Sequence, residues 1–306
     1  MDPCVFFRQD PSKLWLYIHV DDIAIFGADI KPFKREIASE FDIKDIGIAD
    51  LFIGVKVTHS PGYLLLDQQH FTKSLLNLYG MSSCKPASTP LLTNEHFSIS
   101  TDKEVSSFNA LRISYHSAIG SINYLSTATS PDLSFAVSSL SQFLECPGLL
   151  HWKEFLHVLH YLQGTPGLGL IYSRGNDSGV KAYSDADWGN CRSTRRSTTG
   201  YLVPFNNCLT TWKTRKQPSV SLSTAEAEYK ALCDLASKLM WFRQWATECQ
   251  IHNFTQSIPV HEDNKSCINI ASGNCNLNNK RMKHVNIQLH FIKEIVQSSH
   301  IKLIYT

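Results

Sequence analysis

The chain has 306 residues, 43% of them hydrophobic and 18% charged, with a formal net charge of +2. That length gives room for about two domains and a sizeable core, which excludes disorder as the default, while near-neutrality gives no argument by itself for a nucleic-acid partner. Nine cysteines without a Cys-x-x-Cys pair argue against a disulfide framework or a zinc site, and no apolar run approaches the ~20 residues of a membrane span. With no signal pattern in Met-Asp-Pro-Cys-Val-Phe-Phe-Arg, the expectation is a soluble intracellular protein, cytoplasmic or nuclear.

Residues 14–27 place an Asp21-Asp22 pair between two apolar runs, which predicts a hairpin with the acids at its turn. Adjacent carboxylates on a tight hairpin suit divalent metals; acids are also common in turns for local reasons. Residues 33–45 predict an amphipathic helix from Phe33, Ile37 and Phe41. Leu51–Val57 and Tyr63–Leu66 predict two strands joined by Ser-Pro-Gly, and Gln69–Gly80 a helix stopped by glycine.

Three segments up to this point carry a resemblance: His19-Val-Asp-Asp22, Asp45-Ile-Gly with Leu51-Phe-Ile-Gly-Val, and Gly80-Met-Ser-Ser-Cys-Lys-Pro-Ala-Ser-Thr-Pro90. They resemble the palm end of a Ty1/copia-type retrotransposon reverse transcriptase, in which the first motif is usually Tyr-Val-Asp-Asp. Here His19 stands at the tyrosine position. The resemblance implies that Asp21 and Asp22 are metal ligands of a polymerase remnant.

Residues 91–108 are polar and patternless, which predicts a linker. Tyr115–Thr129, Leu133–Leu144 and Trp152–Leu162 predict three helices, and the stretch resembles the family's helical segment between polymerase and nuclease. His151, His157 and His160 lack a paired carboxylate or cysteine and read as exposed or core-edge histidines. Gly164–Gly169 has neither the ending nor the frame of a phosphate loop.

From about residue 170 the pattern is α/β. Strands are expected at Leu170–Tyr172, Val180–Asp185, Thr199–Phe205 and Cys208–Trp212, the last two joined by an Asn-Asn turn. A long helix from Thr224 to about Gln250 follows, then a strand at Ile258–Glu262, a short helix from Lys265, a helix over 281–298 and a strand at His300–Tyr305. Asp185 and Asp263 each end a strand, and sites in α/β sheets collect at strand ends. The helix offers Glu226 and Glu228. At ~100° per residue Glu228 shares a stripe with Ala225, Leu232, Leu235 and Leu239, and Glu226 falls with Lys230, Ser237 and Gln244 on the polar side. An acid on an apolar stripe is costly unless paired or metal-bound, which favours Glu228; an acid at a helix start also suits the macrodipole. Asp187, expected in the turn after the strand, is a lower-ranked first ligand.

Ser184-Asp-Ala-Asp-Trp-Gly189, Ser223-Thr-Ala-Glu-Ala-Glu-Tyr-Lys-Ala-Leu232 and Glu262-Asp-Asn-Lys-Ser266 resemble, in order, the ribonuclease H domain of the same family. The resemblance covers residues 1–306. It implies an α/β, ribonuclease H-like mixed sheet with flanking helices, preceded by a reverse-transcriptase palm remnant (α+β) and a helical connection. The implied divisions are 1–90, 91–172 and 173–306. It further implies Asp185, Glu228 and Asp263 as ligands for Mg²⁺ or Mn²⁺, and cleavage of the RNA strand of an RNA–DNA hybrid. Asn264 and Ser266 are then placed to touch the hybrid, or else to cap the following helix. Implied partners are hybrid and template–primer nucleic acid and the rest of a retrotransposon polyprotein, with no membrane. Basic clusters at Arg192/Arg195/Arg196, Lys213/Arg215/Lys216 and Lys280/Arg281/Lys283 would contact phosphates, although each alone reads as solvated surface.

The family's upstream polymerase aspartate and a fourth nuclease aspartate lie outside this sequence. The expectation is therefore no polymerase activity and weak or absent nuclease activity from these residues alone. The alternative is a catalytically inactive nucleic-acid-binding remnant. An integrase-type transferase is disfavoured, because its third acid comes from a late helix and Glu228 precedes Asp263.

Overall fold

The computed structural model describes residues 3–10, 12–92, 97–175, 178–273 and 286–306. Strands β1 (Val5–Arg8), β2 (Leu14–His19) and β3 (Asp22–Gly27) form an antiparallel sheet in that order. The β2–β3 register pairs His19 with Asp22, so the turn is Val20-Asp21 alone. Val20 is at φ 53, a costly conformation for a β-branched residue. Asp21 therefore sits in the turn and Asp22 opens β3, both exposed.

Helix α1 (Lys31–Glu40) ends five residues before its predicted end, as Phe41 turns to extended backbone. The predicted strand over 51–57 is instead a tight hairpin of β4 (Leu51–Phe52) and β5 (Val55–Ser60). Ile53 and Gly54 both have positive φ there, and the Tyr124 hydroxyl, which donates to Ile53 O at 2.8 Å, leaves no room for a Cβ on Gly54. Strand β6 (Tyr63–Asp67) and helix α2 (Gln69–Leu78) follow.

The predicted linker holds a helix, α3 (Asp102–Asn109). Thr101 and Glu104 form a reciprocal capping box at its start, and Phe108 is buried at its end. Helices α4 (Tyr115–Ala128), α5 (Ser134–Leu140, flanked by 3₁₀ turns) and α6 (Leu149–Gly164) complete a helical core around Ile122, Leu133, Leu140, Phe155 and Leu159. Strand β7 (Leu170–Ser173) then pairs with β6, giving an antiparallel sheet β4-β5-β6-β7 that ties the two ends of the helical stretch together.

The last part is built on β8 (Ala182–Asp187), β9 (Arg196–Phe205), β10 (Cys208–Val220), α7 (Thr224–Glu248), β11 (Ile258–Glu262), α8 (Lys265–Ala271), α9 (Asn286–Gln297) and β12 (Ile301–Tyr305). The sheet order is β10-β9-β8-β11-β12; the first three strands are antiparallel, and β11 runs parallel to both β8 and β12. The Asn206-Asn207 turn has φ of 51° and 61°, the left-handed pair a two-residue hairpin needs. Tyr229, Leu232, Leu235 and Leu239 of α7 are fully buried in the core formed with the sheet. The predicted helix over 281–298 is described from Asn286, and the cluster Lys280/Arg281/Lys283 lies outside the described residues.

Candidate metal centre

Strand alternation in β8 puts Ala182, Ser184 and Ala186 in the core and Tyr183, Asp185 and Asp187 on the opposite, exposed face. Asp187 is thus the last residue of the strand, paired with Thr198, rather than part of the turn; β8 runs two residues further than its apolar pattern showed. In β11, Val260 pairs with Ala182 and His261 with Tyr183. Continuing that register brings Asp263, one residue past the strand, level with Asp185. Tyr183 and His261 stack at 4.7 Å on the same face.

Helix α7 is started by Ser223, whose hydroxyl accepts from Glu226 N. Ala227 and Ala231 pack on Ala186 of β8. Three methyl-sized side chains let the helix backbone come close to the strand, and Glu228, between the two alanines in sequence, reaches the strand end. Ligand oxygens of Asp185, Glu228 and Asp263 lie within 4.8 Å of one another, the one such group of three or more among the described residues.

Glu228 is 6% exposed, and its Oε2 is buried with no hydrogen-bond partner. Burial pushes its carboxyl up to about 8, helped by the charges of Glu262, Asp185 and Asp263 and opposed by the Ala186 backbone N–H. Asp187 is raised by burial and by Asp185. No Lys or Arg pairs with any of these acids among the described residues. Converging carboxylates without a balancing ammonium or guanidinium form the donor set of a hard divalent cation. The orphaned Glu228 oxygen fits the same occupant.

Glu226 is a different case. It is fully buried, not on a solvated polar side as its helical position suggested. The end of β10 covers that side of the helix. Glu226 pairs with Lys230 at 2.8 Å and accepts from Leu222 N, and Lys230 donates to Ser219 Oγ, Val220 O and Ser221 Oγ. The pair staples the helix start to the strand end and takes no part in the cluster.

Glu262 is a site residue that sequence reasoning missed. It is 1% exposed, accepts from Ser184 Oγ at 2.8 Å and from Asn264 N at 3.1 Å, and so ties β8 to β11 directly behind the cluster. Burial raises its carboxyl against the pull of those two hydrogen bonds. The signal was available: Ile258, Val260 and Glu262 share one face of the strand, so the third is an acid on a buried stripe.

Asn264 caps α8, its side-chain oxygen accepting from Cys267 N at 3.0 Å, and Ser266 is exposed in the first turn. Asp21 and Asp22 lie on their own hairpin outside the cluster. His151 lies inside the core rather than at its edge: it is 1% exposed, stacks on Phe143 at 4.0 Å, and its Nδ1 accepts from Gly148 N. A ring nitrogen of His157 lies 3.1 Å from Thr89 O, and one of His160 lies 2.7 Å from Lys85 O. No described helix is long and apolar enough to cross a membrane.

The sheet order and the carboxylates at its centre define a ribonuclease H-like α/β fold, joined to a segment of another kind. Residues 3–93 match the family model described as reverse transcriptase (RNA-dependent DNA polymerase). The retrovirus-related Pol polyprotein from transposon TNT 1-94 of Nicotiana tabacum is 33% identical over 99% of this chain, which covers 23% of that polyprotein. The corresponding polyprotein from transposon RE2 of Arabidopsis thaliana is 31% identical over 97% of this chain, covering 20% of its own length. The chain therefore spans about a fifth of these curated relatives. An uncharacterized mitochondrial protein of A. thaliana is 35% identical over 74% of this chain and 94% of its own length. Among solved structures, LC11-RNase H1 from compost aligns over 42% of this chain and 84% of its own, at 12% identity and a TM-score of 0.33. Residues 3–93 thus carry a reverse transcriptase segment, and nearly the whole chain is similar to Pol polyproteins of plant retrotransposons.

Proposed function

We propose that the segment from about residue 173 onward hydrolyses the RNA strand of an RNA–DNA hybrid, with Asp185, Glu228 and Asp263 holding Mg²⁺ or Mn²⁺. The observation that carries this reading is the convergence of the three carboxylates, one of them buried with an unpartnered oxygen and none of them with a Lys or Arg partner among the described residues. When bound, a pair of such ions supplies activation of water and stabilisation of the leaving oxygen in an in-line displacement. The chain's own contribution is placement. Asp185 and Asp263 present oxygens from adjacent parallel strands on the exposed face, and Glu228 closes the cluster from the helix. Glu262 holds the two strands in register through Ser184. With its carbonyl oxygen spent on the α8 cap, Asn264 keeps an amide N–H₂ for a phosphate or a 2′-hydroxyl, and the Ser266 hydroxyl is free to add a second contact.

The divisions 1–90, 91–172 and 173–306 form part of this proposal; separate cores of the helical stretch and of the five-stranded sheet support the boundary near 173, whereas Leu75 and Leu76 of α2 belong to the helical core and carry it across residue 90. The assignment of Asp21 and Asp22 to a template–primer-directed polymerase centre also forms part of it, supported by their place directly after the strained Val20, Asp21 in the turn and Asp22 at the start of β3.

The test is incubation of the purified chain with an end-labelled hybrid in Mg²⁺ or Mn²⁺. Slow divalent-dependent cleavage confined to the RNA strand is expected, abolished in Asp185→Asn and retained in Glu226→Gln. Hybrid binding without divalent-dependent cleavage would replace this reading with that of a nucleic-acid-binding relative lacking catalysis.

A further inference from the structure

The two strands that carry Asp185 and Asp263 are fastened to each other by very little backbone. Between β8 and β11 the ladder pairs Val260 with Ala182 and His261 with Tyr183, and it ends there, short of either carboxylate. On their outer sides both strands are held further along. Asp185 pairs with Gly200 of β9, and β11 pairs with β12 as far as Glu262 and Tyr305. Each carboxylate is therefore fixed to its own half of the sheet, and the two must meet across the seam between the halves.

Side chains close that seam. In the register of the ladder, Ser184 and Glu262 are the next residues opposite each other, and the Ser184 hydroxyl donates to Glu262 Oε2 at 2.8 Å. Both residues are buried. The other Glu262 oxygen accepts from Asn264 N at 3.1 Å, on the far side of Asp263 along the chain. One carboxylate thus holds the backbone before and after Asp263, and is itself held by the residue before Asp185. Away from water a hydrogen bond is electrostatically stronger, so this side-chain rung is stiff where the backbone rung is missing. Glu262 is not one of the acids whose ligand oxygens converge, so it acts on the cluster through the strands.

The spacing of two ligand-bearing strands matters most to a small ion. Mg²⁺ requires oxygens at about 2.0–2.1 Å in a near-ideal octahedron, whereas Ca²⁺ accepts about 2.3–2.6 Å and irregular coordination. Strands held at one separation favour the first ion. Strands free to spread lose that advantage and cost the second ion little.

We propose that the Ser184–Glu262 bond is a positioning strut that sets the spacing of Asp185 and Asp263, and with it the preference of the centre for Mg²⁺ over the larger Ca²⁺. This rests on the metal-centre reading above and deepens it. The two residues touch neither ion nor substrate; they fix where two of the three ligands stand before an ion arrives.

The experiment is thermal unfolding of the whole chain, first stripped with EDTA, over concentration series of Mg²⁺ and of Ca²⁺; the rise in Tm gives an apparent affinity for each ion. Ser184→Ala should weaken Mg²⁺ about tenfold and Ca²⁺ about threefold or less, so the ratio of the two affinities falls. Glu262→Gln keeps the strut, because its amide can donate to Ser184 Oγ while its carbonyl accepts from Asn264 N. It removes one negative charge, which weakens two divalent ions alike and should leave the ratio as in wild type. Ser184→Ala leaves Glu262 Oε2 buried without its donor, so the second strut-breaking protein joins Ser184→Ala to Glu262→Leu. Apolar groups at both ends are better tolerated than one orphaned oxygen, and the ratio should fall there too. An unchanged ratio in either strut-breaking protein, or a ratio that falls as far in Glu262→Gln, would overturn the strut while leaving the metal centre standing. A wild type whose unfolding responds to neither ion would sink the metal centre and the strut with it.

Discussion

Replacing Glu228 with glutamine should stabilise the metal-free protein and cost it its response to metal. In the folded chain the Glu228 carboxyl titrates at about 8, against 4.5 for an unburied glutamate. The folded state therefore keeps a proton that the unfolded state gives up. Below pH 4.5 both states are protonated and the group is neutral to stability. As pH rises from about 4.5 towards about 8, stability falls by up to about 1.4 kcal/mol per pH unit. At pH 7 the accumulated loss is about 3 kcal/mol. Glutamine keeps the shape and carries no charge, so Glu228→Gln should regain on the order of 3 kcal/mol at pH 7 in a chelator and little at pH 4.5. Urea denaturation of both proteins between pH 4.5 and 8, with EDTA and then with Mg²⁺, measures this. Wild type should be rescued by the divalent ion and the variant should not. Glu262 is shifted in the same direction and lies in both proteins, so the difference between them reports Glu228 together with its repulsion from the neighbouring acids. A wild type whose stability is flat across that window, or a variant no more stable than wild type at pH 7 in EDTA, would refute the reasoning.

Asp185→Asn should lose divalent-induced stabilisation, and Glu226→Gln should keep it while unfolding earlier by about 3–5 kcal/mol, because Lys230 would be left buried without its partner; calorimetry with and without Mn²⁺ separates the two effects. Ala231→Leu should overpack the contact of α7 with Ala186, cost about 1–3 kcal/mol and weaken divalent binding by displacing Glu228, which isothermal titration would show. At Cys191, burial raises the thiol but hydrogen bonds from Lys216, Ser193 and Thr194 overcome it and leave it at about 6. Its alkylation by iodoacetamide should reach half its maximal rate near pH 6, and Lys216→Gln should move that midpoint upward. Thr101→Ala should cost about 1 kcal/mol through the lost cap of α3, read by thermal melting.

Legibility of the sequence depended on how local each signal was. The two-residue Asn206-Asn207 hairpin and the apolar stripe of α7 depend on neighbours within a few residues, and both are legible in the sequence. The capping box of Thr101 and Glu104 was equally local; the polar composition around it hid a helix whose one deep anchor is Phe108. The hairpin at Ile53-Gly54 read as a continuous strand because its positive φ at isoleucine contradicts propensity, and it is held by Tyr124, 71 residues away. Burial of Glu226 depends on where β10 ends, and Glu262 on the distant Ser184. Neither contact can be read from a periodicity.

Glu226 and Glu228 give the sharpest contrast in the molecule. They stand two residues apart on one helix, both more than nine-tenths buried. Glu226 has its ion pair and an N–H donor, so its burial is compensated within the protein. Glu228 has an oxygen without a partner and three further acids raising its proton affinity. Stability alone would favour a neutral or apolar side chain at Glu228, since an uncompensated buried charge costs several kcal/mol. Lys230, two residues on, is committed to Glu226 and the end of β10, and Glu228 is left with the Ala186 N–H and one unpartnered oxygen. Among the described residues no Lys or Arg pairs with Asp185, Glu228 or Asp263 where they meet, which supports the proposal that a divalent cation balances them.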